Sequence, residues 1–129
     1  MERKSHNITD WVKVFVDSVL MYGDYILKDS NAANRHYENY IKALNHLNEY
    51  GDAGLSALAN LLNDDRMVVR VMAASYLIHY STDKALNVLN EAAKARDRAI
   101  SMLAIITIRR WDLGWYLDPA TGKEAVRQK

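Results

Sequence analysis

Apolar residues recur along this chain at helical spacing, and in its second half the pattern repeats itself after 31 residues. Leu55, Leu58, Val69, Met72, Ala73, Leu77 and Tyr80 are answered by Leu86, Leu89, Ile100, Leu103, Ala104, Ile108 and Trp111. A repeat of this length marks stacked helix pairs, each burying its apolar face against the next. Strand-type alternation is absent, so the chain reads as all-α. The expected architecture is a short α-α superhelix of about three helix pairs. It forms a single domain over residues 1–129, with its helical core at about 10–114 and a tail at 115–129.

The first helix is expected from about Asp10 to Lys28, with Thr9 or Asp10 as its N-cap. Trp11, Phe15, Val19, Tyr22 and Ile26 form one stripe, and Lys13, Asp17, Asp24 and Lys28 lie opposite as i,i+4 charge pairs. Gly23 weakens this helix locally and marks a candidate bend. Asp29-Ser30-Asn31 stops it and caps a second helix, about Ala32–Tyr50, with Tyr37, Tyr40, Ile41, Leu44 and Leu47 on its apolar stripe; Gly51 ends it. Four more helices follow, near Gly54–Leu62, Arg66–Tyr80, Asp83–Ala95 and Asp97–Asp112. Asn63-Asp64-Asp65 is read as the cap of the fourth, and Ser81 or Thr82 as that of the fifth. The tail Trp115–Lys129 holds Pro119 and Gly122 and is expected to be loosely ordered, with Trp115 and Tyr116 tucked back on the last pair.

The fourth and sixth helices are apolar on more than one side. Val68, Val71 and Ile78 lie opposite Arg66, Arg70 and Leu77, and Ile105 sits among Arg98, Ser101 and Arg109. Such a helix is sandwiched between layers or lines a contact surface.

Composition narrows the class. Half the residues are hydrophobic and about a quarter charged, as in ordinary globular domains. There is no cysteine, which excludes disulfides and thiolate metal sites. No signal-peptide core follows Met1-Glu2-Arg3-Lys4, and Ala99–Ile108, the longest uncharged apolar run, is too short to span a bilayer; the expected location is the cytoplasm, off the membrane. The net charge of +1 is split unevenly: residues 1–65 carry 6 basic and 10 acidic side chains, residues 66–129 carry 11 basic and 6 acidic. Such a dipole can steer a charged partner to one end.

The segment Leu55-Ser-Ala-Leu58, Leu61-Leu62-Asn63-Asp64-Asp65, Val68-Val69-Arg70, Ala73-Ala74 and Leu77 resembles a HEAT-type repeat. The second copy keeps the apolar frame but has Arg96 in place of Asp65 and Ser101 in place of Arg70, so it is degenerate. The chain is also similar, over roughly residues 10–114, to a small bacterial family known as domain of unknown function 2019. Asn34-Arg35-His36-Tyr37-Glu38, Val69-Arg70 with Ala73-Ala74, and Trp111 with Gly114 carry that resemblance. It implies a three-pair HEAT-like stack and, since small proteins of this kind include immunity partners of secreted toxins, a binder more than an enzyme. It brings no catalytic residues.

The residues themselves offer little chemistry. His6, His36, His46 and His79 show no metal-ligand spacing. Ala120-Thr121-Gly122-Lys123 looks like the end of a phosphate-binding loop, but Leu117 stands where its first glycine belongs and Glu124 where Ser or Thr is needed. No nucleophile motif is present, and no cofactor, metal or enzyme activity is expected. Aromatic and basic side chains are more suggestive. Tyr37, Tyr80 and Trp111 are assigned to interlayer packing, while Tyr40 and Tyr76, with His79, Arg109 and Arg110, are the candidate partner-binding residues.

These readings make a protein-binding module the expected function, most specifically an immunity protein that blocks a toxin domain of a secreted or contact-dependent effector by steric docking. A nucleic-acid binder is the alternative that the basic second half suggests, although the sequence pI of about 8.0 is low for one. An adaptor or scaffold for another cytoplasmic protein is the third.

Overall fold

A computed structural model describes residues 7–127. Six α-helices are followed by a small β-hairpin: α1 (Ile8–Tyr25), α2 (Ser30–Asn48), α3 (Asp52–Asn60) with a 3-10 turn (Leu61–Asn63), α4 (Met67–Leu77), α5 (Thr82–Ala92), α6 (Arg98–Asp112), β1 (Trp115–Leu117) and β2 (Glu124–Val126). The protein is mainly α, as its periodicity predicts, and no described helix is long and apolar enough to cross a membrane.

The helix starts follow capping chemistry. α1 begins two residues earlier than expected because Asn7, not Thr9 or Asp10, is its N-cap. The Asn7 side chain accepts from the Asp10 N–H (2.9 Å), and the Asp10 carboxylate accepts in return from the Asn7 N–H (3.1 Å). Asp29 and Asp97 cap α2 and α6 through the same kind of bond. Asp64 does a different job from the one its position suggests. Its carboxylate accepts from the N–H and guanidinium of Arg66, and its carbonyl accepts from Arg70 Nη1 at 2.6 Å. The turn before α4 is thus tied by two arginines rather than closed by a side-chain cap. The Arg66 hydrogen bond holds the Asp64 carboxyl below its ordinary range.

Packing is by helix pairs. α1 lies along α2, and α4 packs against α5 and α6. α1 does not end at Gly23 but runs through it, with Val68 of α4 facing that glycine. At Gly54 a Cβ would run into the Leu47 carbonyl, so only glycine lets α3 approach α2 this closely. The core is centred on Phe15, Val19, Leu44, Leu58, Val69, Val71, Leu77, Ile78 and Leu89, all buried. α1 also touches α6, so the first and third pairs meet, whereas units of an extended solenoid contact only their neighbours. Paired packing is present; a superhelical path is not evident in so closed an arrangement.

The largest departure from expectation is the tail, whose described part forms a hairpin; residues 128–129 of that tail lie outside the described residues. β1 and β2 pair antiparallel, with Trp115 opposite Val126 and Leu117 opposite Glu124. Asp118 organises the turn: its side chain accepts from the Ala120 N–H (2.9 Å) and its carbonyl from the Gly122 N–H (2.7 Å). Gly122 has φ +73°, and a Cβ there would strike Ile41 of α2. Pro119 is buried at a small gap lined by Leu44, Leu47 and Leu58. β1 packs on α4 and α6, so the hairpin bridges from the last helix back to the second.

Candidate functional site

Where α1, α2, α4 and α6 converge under this hairpin they leave a cleft of about 440 Å³. Its walls are Tyr22 from α1, Tyr37 and Tyr40 from α2, Ser75 and Tyr76 from α4, and Leu103, Ile106, Thr107 and Arg110 from α6; Leu117 and residues 122–124 of the hairpin close one side.

Tyr40 is the hub. Tyr22, Tyr37 and Tyr76 meet its ring edge to face at centroid distances of 5.3, 5.3 and 6.2 Å, and Phe15 does so from the core at 6.0 Å. Each such pair contributes about 0.5–1.5 kcal/mol beyond area burial. The Tyr40 ring thus stands between those of Tyr22 and Tyr76, and all three line the cleft. Burial pushes the phenols of Tyr40, Tyr76 and Tyr22 above their usual range, while the Arg110 guanidinium pulls Tyr76 and Tyr22 the other way. All three remain protonated at neutral pH and serve as hydrogen-bond donors rather than as bases.

On the floor, the Ser75 hydroxyl donates to the Val71 carbonyl (2.8 Å) and the Thr107 hydroxyl to that of Leu103 (2.9 Å), with the two oxygens 3.1 Å apart. At the rim, Arg110 Nε meets Glu124 Oε2 at 2.8 Å, with both side chains well exposed. Lys123 stands beside them. None of the described histidines lines the cleft: His36 stacks on Tyr25, His46 on Trp11, and His79 on Tyr116. His6 lies outside the described residues. Among the described residues no three His, Asp or Glu gather as a metal site.

The five residues named from sequence fall in three places. Tyr40 and Tyr76, 3% and 2% exposed, are buried and line the cleft. Arg110 stands at its rim, and its partner is Glu124 of the hairpin, not the helical neighbour Asp112. His79 is exposed but carries the hairpin, its ring 4.1 Å from that of Tyr116 and nearly parallel. Arg109 is exposed on the far side and forms no ion pair with any described residue. Two aromatics assigned to the core, Tyr37 and Tyr80, are 38% and 51% exposed, whereas Trp111 is partly covered by the Arg127 guanidinium at 4.0 Å. Tyr22, Ser75, Thr107 and Glu124 escaped the sequence reading of the site. Of these only Tyr22 carried a signal, its place on the stripe of α1 that faces α2.

A second surface adjoins the cleft along the outer side of α6. Met102, Ile105, Ile106 and Arg109 are three, four and seven residues apart and share one helix face. Ile105 and Ile106 are 40% and 39% exposed, and together with Leu27, Arg98 and Met102 they line a shallow groove. Ile106 belongs to both groove and cleft.

Among known proteins, no family model matches the chain, and no curated protein and no solved structure matches it either. The chain is assigned to no family on that ground, and a reading of its function rests on geometry.

Proposed function

We propose that this protein is a binding module that docks a partner protein on the outer face of α6. The single observation that carries the reading is the exposed apolar pair Ile105–Ile106 on the outer side of α6, flanked by Arg98 and Arg109. A terminal unit of a helical stack needs a polar outer face for solubility, and an apolar one there is a surface to be covered. Ile106 leads from this face into the cleft, where Arg110 offers a charged contact.

In its most specific form the module is an immunity protein that neutralises a bacterial toxin domain by occluding it. The same proposal takes the helix pairs as a degenerate HEAT-like stack of three units; its support is the 31-residue echo running through α3–α4 and α5–α6. Co-expression with the product of the adjacent gene, followed by co-purification, tests the proposal. A stable complex that Ile105→Asp or Ile106→Asp abolishes, with thermal unfolding unchanged, is the expected result. A neighbour without a toxin-like domain sinks the immunity form. A toxin-like neighbour that is bound equally well by both aspartate variants sinks the docking face.

A further inference from the structure

Docking on the α6 face engages only the mouth of the tyrosine cleft, at Ile106 and Arg110, and the cleft behind it has the attributes of a small-molecule site. We propose that it binds a small aromatic monocarboxylate, with its ring among Tyr22, Tyr37 and Tyr76 and its carboxylate on Arg110.

Size and shape come first. A concave space of about 440 Å³ falls in the range that ligand sites occupy, and it is formed by elements from both ends of the chain, so it is already built in the folded protein. Its walls then favour a flat guest. Three phenol rings surround Tyr40 edge to face, and Tyr37 keeps over a third of its surface open. An entering ring extends this lattice with one more edge-to-face or offset contact.

Charge and hydrogen bonding select the sign. The hydroxyls of Tyr22, Tyr40 and Tyr76 line the cleft in their protonated form, so they can donate to an outside acceptor. Arg110 meets Glu124 through Nε at the exposed rim, where its guanidinium has further donors to offer, and Lys123 adds an ammonium nearby. Against these donors stands one carboxylate, that of Glu124. A cleft with two cations and one anion suits a monoanion; a dianion such as a phosphate monoester would face Glu124 with excess charge. A planar carboxylate also matches the guanidinium fork in a way that a point charge does not.

Glu124 makes the proposal sharp, because it competes with the ligand for Arg110. Sodium benzoate and its neutral isostere benzamide, titrated into the 15N-labelled full chain, are the probes. Benzoate is expected to shift the signals of Tyr37, Tyr76 and Arg110 saturably and to bind about tenfold more tightly than benzamide, the worth of one charge-assisted hydrogen bond. Arg110→Gln should lower benzoate affinity to that of benzamide, whereas Glu124→Gln should raise it. Equal affinities for the two probes, or no saturable shift at the cleft, would overturn the proposal. So would a fall in benzoate affinity in both variants, the outcome expected if the ion pair merely fastens the hairpin.

Discussion

α4 and α6 stand at matching places in two copies of one repeat, yet their outer sides meet opposite surroundings. Val69, Met72 and Ala73 of α4 have Ile100, Leu103 and Ala104 as counterparts, and both sets pack inward. Beyond that frame the copies diverge. Ala74, Ser75 and Ile78 are buried because α4 is enclosed by α1, α5 and α6; their counterparts Ile105, Ile106 and Arg109 are exposed. The shared positions hold the helix pairs together, and the divergent ones register where each helix lies in the stack. An end position accounts for Arg109. It does not account for two exposed isoleucines, on which the proposed docking face rests.

The comparison breaks if the two helices respond alike to matched substitutions. Ile78→Ala in α4 leaves a cavity in the fully buried core and is expected to cost about 2–5 kcal/mol, while Arg109→Ala should stay within about 0.5 kcal/mol. Urea midpoints at constant m-value measure both, and equal shifts would erase the distinction. Exchanging residues between copies sharpens it. Ala74→Ile overpacks α4 at an expected cost of about 1–3 kcal/mol, whereas Ile105→Ala leaves stability within about 0.5 kcal/mol. A stability loss for Ile105→Ala as large as that for Ala74→Ile would show that the α6 face is structural.

The smallest effect concerns the phenol of Tyr76 on α4. An unfolded tyrosine ionises near pH 10.0, while burial keeps Tyr76 protonated in the folded state at that pH. The folded state then binds more protons, so its stability is intact below pH 10 and falls above it, by up to about 1.4 kcal/mol per pH unit for each such phenol. Tyr76→Phe lacks this alkaline loss. The stability of the unsubstituted protein relative to Tyr76→Phe should therefore fall above pH 10 in denaturant titrations; a difference that stays constant would mean the phenol ionises as readily folded as unfolded.

Helices were legible in the sequence because stripes of three and four residues persist for whole turns, and Asp29 and Asp97 announce two starts. The hairpin was not. Strands of three residues are too short for alternation to register, and Thr121-Gly122-Lys123, dismissed as a phosphate loop, carried only the turn. Pro119 and Gly122 are buried by α2 and α3, far away in sequence, so no local pattern reveals them. The cleft suffered likewise. Tyr37 and Tyr40 share one helical stripe, and only neighbouring α1 and α4 decide that Tyr40 becomes the hub while Tyr37 faces out. Asp112 was the one partner that the helix itself offered Arg110, whereas the observed one, Glu124, sits beyond it in the segment read as loose.

The bridge from the hairpin turn to α2 also sets an order of assembly. Joining Gly122 to Ile41 closes a loop over most of the chain, and contacts so distant form after local helix pairs are in place. During synthesis all six helices emerge before Glu124 does. The cleft is consequently the last part of the molecule to exist, and a growing or truncated chain that stops short of β2 carries helices without a finished site.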